Sequence, residues 1–198
     1  MECDGPSPRV QVKMFKKKTD IVRSFSTGHL THIHTGAYRP NSNFVLGLGG
    51  GNFALNAKMK FTIKTKDQLS CVRLDHIMGH FTIKPLMMIA REYRKGTCEY
   101  NAVLEHERKH VAALEKFQRH YARKFKSRLK EIARNINTAQ VVSATQAEIS
   151  KAQIEEQITR EIQNYVEQIT PIIQQRQIDI DNPQEYRRVY AQCDGWDG

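Results

Sequence analysis

Long apolar runs are missing from this sequence. None of its 198 residues falls in a window approaching the roughly 18 consecutive apolar positions that a membrane-crossing helix needs. Acidic residues are also short. Lys and Arg number 31 against 21 Asp and Glu, a formal net charge of +10. That excess draws anionic partners (nucleic acid, anionic lipid headgroups, acidic cell-wall polymers) and is silent about chemistry. No RNA- or DNA-binding motif accompanies it, so a nucleic-acid partner is not expected. Cysteine is scarce: the four, Cys3, Cys71, Cys98 and Cys193, form no C-x-x-C pair, which argues against a zinc ribbon or a thioredoxin-like redox motif. The start, Met1-Glu2-Cys3-Asp4-Gly5, lacks a charged leader followed by an apolar stretch, so no signal peptide is visible. What is present, 39% apolar and 26% charged residues, is the composition of a globular domain with a core.

An even number of widely spaced cysteines suits two disulfides in an oxidising compartment. Of the three connectivities, Cys71–Cys98 with Cys3–Cys193 is the expected one, tying a strand to a helix and the two termini to each other. Four reduced thiols in a cytosolic protein is the alternative. The disulfide reading implies a periplasmic or secreted protein, with Met1 standing where an export signal has been removed.

The pattern of the chain changes near residue 97. Before it, Val10, Val12 and Met14 alternate with polar residues, as do Met59, Phe61 and Ile63, and both stretches read as half-buried strands. Further strands are expected at 69–74, 80–83 and 86–93, and a turn-rich stretch at 38–43. The run Gly47-Leu48-Gly49-Gly50-Gly51 is followed by a strand pattern rather than a helix. It therefore reads as a hairpin turn or loop and not as a dinucleotide cradle.

From Glu99 onward the period is helical, with Val103, Glu107, His110, Leu114, Phe117, Tyr121, Phe125, Leu129 and Ile132 on one stripe. Asn135, Asn137 and Thr138 mark a break. A second stripe, Ile154 to Ile172, is expected to bend or stop near Pro171, and Asn182-Pro183 to start a last helix over 184–190. The fold class expected is α+β: one domain, 1–198, with a strand-rich part (1–97) packed on an antiparallel helical hairpin (98–198).

On the first helix stands His106-Glu107-Arg108-Lys109-His110, an H-E-x-x-H motif. Residues four apart project from one helix face, so two imidazoles can reach one metal ion, and the glutamate between them can take a proton from water activated there. Glu107 and His110 lie on the apolar stripe, where a carboxylate and an imidazole are costly unless paired or bound to metal. An ordinary surface helix with ion pairs is the competing reading. His32 and His34, with His29 nearby, would share one strand face, and His76 and His80 form another pair; scattered surface histidines account for both.

The third ligand is not adjacent. A metzincin continuation needs glycine at 113 and histidine at 116, where Ala113 and Lys116 stand. Folding the hairpin about Asn137–Thr138 sets His106 opposite Thr170 and His110 opposite Val166, which makes Glu167 the nearest acid, with Asp179, Asp181 and Glu185 following.

The segment Cys98–Val111, C-E-Y-N-A-V-L-E-H-E-R-K-H-V, resembles the active helix of a poorly characterised bacterial family of exported zinc-dependent proteases. The resemblance implies a zincin-like fold, Zn²⁺ as cofactor, a peptide or protein substrate, and an acid-containing motif after the later helix. Asp179 would then be the third ligand; in the metal-assisted hydrolysis that the motif implies, Glu107 would be the general base and Tyr186 or a neighbouring histidine would help the metal polarise the scissile carbonyl. Glu167 or Glu185 stay open as third ligand. The alternative function is a non-catalytic scaffold of the cell envelope, docking an anionic polymer on the basic face between Arg108 and Arg134.

Overall fold

A computed structural model describes Cys3, residues 5–35 and residues 44–196; the turn-rich stretch expected at 38–43 lies outside them. The order of elements is β1 (Arg9–Lys16), β2 (Asp20–Val22), α1 (Thr27–Thr35), β3 (Gly47–Lys66), β4 (Leu69–Ile89), α2 (Cys98–Asn135), β5 (Ala139–Ser143), a 3-10 turn (Ala144–Gln146), α3 (Ala147–Ile178) and α4 (Pro183–Tyr190). The fold is mixed α and β: four helices and one five-stranded sheet in which β4 pairs with every other strand. β2 runs parallel to β4, with Asp20 opposite Leu86, and β5 runs antiparallel, with Leu69 opposite Ser143.

The three strands expected between residues 69 and 93 are one strand, β4. Gly79 lies within it, where a Cβ would meet Leu129 Cδ1 at 2.6 Å and Phe125 Cε1 at 2.9 Å. Its place is set by close packing rather than by a turn. β3 and β4 form a hairpin through Asp67, whose φ of 56° is the left-handed conformation that such tight turns demand and that aspartate tolerates.

The chain divides into two compact units, each built from three stretches: Met1–Phe15, Ala54–Thr82 and Gln118–Thr170 in the first; Lys16–Phe53, Ile83–Phe117 and Pro171–Gly198 in the second. Each unit therefore draws on both the strand-rich and the helical part of the sequence. In the first, Phe125, Leu129 and Ile132 of α2 and Ile154, Ile158 and Ile162 of α3 close a core over Val72, Leu74 and Ile77. Leu55, Met59, Phe61 and Ile63 of β3 line the same core. Each fully buried side chain of α2, α3 and β4 in this core stabilises the fold by about 1.5–3 kcal/mol, and the half-buried ones of β3 by less. In the second, Ile89, Tyr100 and Val103 cluster with Leu46, Tyr93 and Trp196, and Ala102 packs with Val189 and Cys193.

Four expectations need correction. His32 and His34, read as sharing one face of a strand, lie on helix α1; Ser26 Oγ accepts from His29 N at 3.2 Å, an N-cap that outweighs the short alternation. Gly47–Gly51 is neither turn nor loop but the first rungs of β3. α3 does not stop at Pro171: it runs on to Ile178, with Ile169 and Ile173 buried on either side of the proline. That apolar burial offsets the roughly 3 kcal/mol that an internal proline costs.

The disulfides are Cys3–Cys71 and Cys98–Cys193, not Cys71–Cys98 and Cys3–Cys193. Cys71 pairs across the ladder with Val141 of β5, beside the backbone that Cys3 touches, while Cys98 opens α2 where the residues after α4 pack against Ala102. The Cα–Cα separations are 5.2 and 5.8 Å, inside the range a disulfide bridges. Replacing Cys98 and Cys193 together by serine opens a link between residues 95 apart. The expected cost is about 4 kcal/mol, or a fall in melting temperature on the order of 10 °C for a chain this long, read by scanning calorimetry; an unchanged melting curve would contradict the pairing. No helix among the described residues is long and apolar enough to cross a membrane.

Candidate metal centre

His106, Glu107 and His110 project from the buried face of α2, at 6%, 2% and 4% exposure. The residues that meet them follow the end of α3. After Ile178 the chain turns through hydrogen bonds from Ile180 N to Gln177 O and from Asp181 N to Ile178 O, and Asn182 caps α4 by accepting from Glu185 N at 2.9 Å. This tight turn swings Asp181 back to the two histidines. Its Oδ1 lies 3.0 Å from His106 Nε2 and 3.1 Å from His110 Nε2, and the two ring nitrogens are 3.3 Å apart.

The opposite edge of each ring is already engaged. His106 Nδ1 faces Glu185 Oε1 at 3.2 Å, and His110 Nδ1 faces Gln177 Oε1 at 2.6 Å. Gln177 Nε2 donates to the carbonyl of His110, which fixes the amide with its oxygen towards the ring. Both partners accept, so each Nδ1 carries the donated proton and each Nε2 of a neutral ring presents a lone pair. Two lone pairs and a carboxylate oxygen then converge on one point, an arrangement that repels itself unless a positive charge sits among them. Among the described residues, these three form the one group of His, Cys, Asp and Glu side chains able to hold a metal ion.

Glu185 is held firmly. It accepts from Arg188 and from Lys109, the latter at 2.7 and 2.8 Å, and Arg188 with the other donors hold its carboxyl down at about 2. When protonated, either ring donates to Asp181 instead; burial works to raise the pKa of Asp181, but these hydrogen bonds win and hold it well below the usual carboxylate range. Burial opposes protonation of His110, and Asp181 and Glu107 more than offset it. Glu107 is different. Burial pushes it up to about 8, with His110 opposing and Asp181 adding, and its Oε2 has no hydrogen-bond partner.

The glycine run explains how Glu107 comes to be so enclosed. A Cβ on Gly47 would meet Glu107 Oε1 at 2.5 Å, and one on Gly49 would meet the Glu107 carbonyl at 2.6 Å. Only bare backbone lets β3 lie directly over this turn of α2. A small cavity of about 20 Å³ remains, walled by His106, Glu107, Val103, Gly47 and Tyr186, room for about one water molecule. The Tyr186 ring lies 5.7 Å from that of His106, and burial, then the carboxylates of Asp181 and Glu107, keep its hydroxyl protonated far above its ordinary range.

No family model, curated protein or solved structure matches this chain. The site is therefore read from its own chemistry.

Of the residues the sequence singled out, His106, Glu107, His110 and Tyr186 are brought together, and Glu185 joins them through His106 Nδ1 rather than as one of the converging donors. Asp179, expected as third ligand, stays outside: it is exposed and accepts from Gln175, one turn back, at 2.8 Å. Asp181 is the acid that lies against the two histidines instead. Glu167 is exposed on α3 in the first unit. The missed register has a clear origin. β5 and the 3-10 turn separate the helices, so the hairpin reverses near Ser143 rather than at Asn137–Thr138, and Arg128 pairs with Glu161 while His110 meets Gln177. Gln177 escaped notice because an amide carries no charge signal. The glycine run was its own signal, misread as a turn. Of the other histidines, His29 stacks on Phe25 at 4.7 Å and His80 lies edge-on to Phe15 at 5.3 Å.

Proposed function

We propose that the chain is a zinc-dependent hydrolase of the metallopeptidase type, zincin-like in its use of H-E-x-x-H, with His106, His110 and Asp181 as zinc ligands. One observation carries the reading: His106 Nε2, His110 Nε2 and Asp181 Oδ1 converge within 3.0–3.3 Å while both Nδ1 atoms are engaged elsewhere. These separations match the roughly 3.3 Å edges of a tetrahedron with centre-to-corner distances of about 2.0 Å, the bond length of zinc to imidazole and carboxylate. Two nitrogens and one oxygen are also a donor set of catalytic zinc, which keeps a position open. When bound, zinc supplies Lewis acidity, polarising a carbonyl and making water acidic near neutral pH.

The chain's own groups do the rest. Glu107 borders the one-water cavity and takes the proton of the attacking water, then passes it to the leaving amine. Tyr186, kept as the neutral phenol, donates to the oxygen on which negative charge develops. Glu185 and Gln177 hold the imidazoles in the orientation and tautomer that ligation needs. The two disulfides support an exported protein, periplasmic or secreted.

Purified without added metal, the protein is expected to carry one zinc per chain by elemental analysis and to cleave casein or model peptides. Zinc added to the stripped protein at a hundredfold excess over its dissociation constant should contribute about 2.7 kcal/mol of stability. That corresponds to a rise in melting temperature of about 5–11 °C. A melting curve blind to zinc overturns the assignment. The second reading, a scaffold docking an anionic polymer, draws on an open cleft of about 590 Å³ in the first unit. Arg123, Lys124 and Arg134 line it, and among the described residues no carboxylate pairs with any of the three. A chain with neither zinc nor turnover would leave that reading standing.

A further inference from the structure

Within the second unit, beside the metal centre, opens a cleft of about 490 Å³. Its walls include Phe44, Val45, Pro183, Tyr186 and Tyr190, with Arg187 at one side. Val45 and Tyr186 also wall the small cavity against Glu107, so the two spaces share a boundary and a group seated in the larger one lies next to the reacting centre. Phe44 and Tyr186 are 43% and 38% exposed, a large amount of aromatic surface for one cleft. Arg187 is a cation in this aromatic surround, and among the described residues no carboxylate pairs with it, whereas its neighbour Arg188 is spent on Glu185 and Glu105.

Apolar walls, aromatic rings, the imidazole of His34 and one uncompensated guanidinium make a specific demand. We propose that this cleft is a substrate subsite that seats a bulky apolar side chain neighbouring the scissile amide, with Arg187 taking the carboxylate of the next residue. The assignment rests on the hydrolase reading and adds to it a substrate class: peptides with a large apolar residue followed by an acidic one. The chain's net charge of +10 favours acidic substrates in the same sense, by steering rather than by contact. Rings supply contact area at little entropic cost, and the planar guanidinium supplies the directional bond to a carboxylate.

The molecule carries its own reporter. Trp196, the one tryptophan in the chain, lies edge-on to Tyr190 at 5.0 Å, and Tyr190 lines the cleft. The full chain carrying Glu107→Gln, which binds without cleaving, is titrated with blocked peptides free of Trp and Tyr that contain Leu-Glu, Leu-Gln or Ser-Glu. Emission of Trp196 and the heat of binding are followed together, so affinity is obtained whether or not the emission moves. The Leu-Glu peptide is expected to bind about tenfold more tightly than either other peptide. Arg187→Ala should erase the difference between Leu-Glu and Leu-Gln while sparing the preference for Leu over Ser. Equal affinities for all three peptides, or an undiminished preference for Glu in Arg187→Ala, would overturn the subsite. Failure of the hydrolase reading looks different: the unmodified chain would then lack zinc and turnover while its peptide selectivity stayed intact.

Discussion

Glutamine at position 107 is expected to silence hydrolysis and leave the metal in place. The side chain is 2% exposed and pressed between α2 and the bare backbone of Gly47 and Gly49. An amide of the same size therefore keeps the packing, whereas alanine would leave a hole under β3. What the amide lacks is the basic oxygen. Loss of a general base typically lowers turnover by about 10²–10⁴-fold. His106, His110 and Asp181 are unchanged by the substitution, so zinc content should stay at one per chain. Cleavage rates and elemental analysis on the same preparation make the check, and turnover within a few-fold of the unmodified chain would remove Glu107 from the mechanism. The result is informative about role because stability pulls the other way. Glu107 carries a carboxyl that burial has raised to about 8 and an oxygen with no hydrogen-bond partner. A residue kept at such cost is explained by chemistry better than by folding.

The second large effect separates Asp181 from Asp179. Alanine at 181 deletes the one oxygen shared by both imidazole Nε2 atoms at 3.0 and 3.1 Å, leaving two neutral donors and no anion to offset the charge of the ion. Zinc affinity should fall more than a hundredfold, beyond the ten- to hundredfold that removal of a supporting group costs. Glu185→Gln, which meets the three converging residues only at the far nitrogen of His106, belongs to that smaller class. Asp179→Ala should do nothing to zinc, since its carboxylate faces Gln175 on the exposed side of α3. Competition against a chelator of known affinity ranks the three variants. Equal losses at 179 and 181 would mean that the turn after Ile178 is wound differently in the metal-bound protein.

That contrast also shows where reading the chain stops. Whatever depends on residues a few positions apart was legible in it. The 3.6-residue stripe put Glu107 and His110 on the buried face of α2, the four-residue spacing set His106 beside His110, and Asn182-Pro183 announced α4, whose cap it forms. The alternation of Met59, Phe61 and Ile63 likewise marked β3. What closes the site is not local. The partner of His110 is 67 residues away and that of His106 is 75, and their positions depend on how many residues β5 takes from the loop and on α3 continuing past Pro171. A shift of a few residues in either would bring Glu167 or Asp179 forward instead, and nothing in the composition of those segments separates the outcomes. The pairing of four cysteines is of the same kind, set by which backbones meet across 68 and 95 residues. Helical and strand periods are short-range steric facts and belong to the sequence; the third ligand, the disulfides and the bare strand over Glu107 exist only once distant backbones are packed together, and tertiary structure alone decides them.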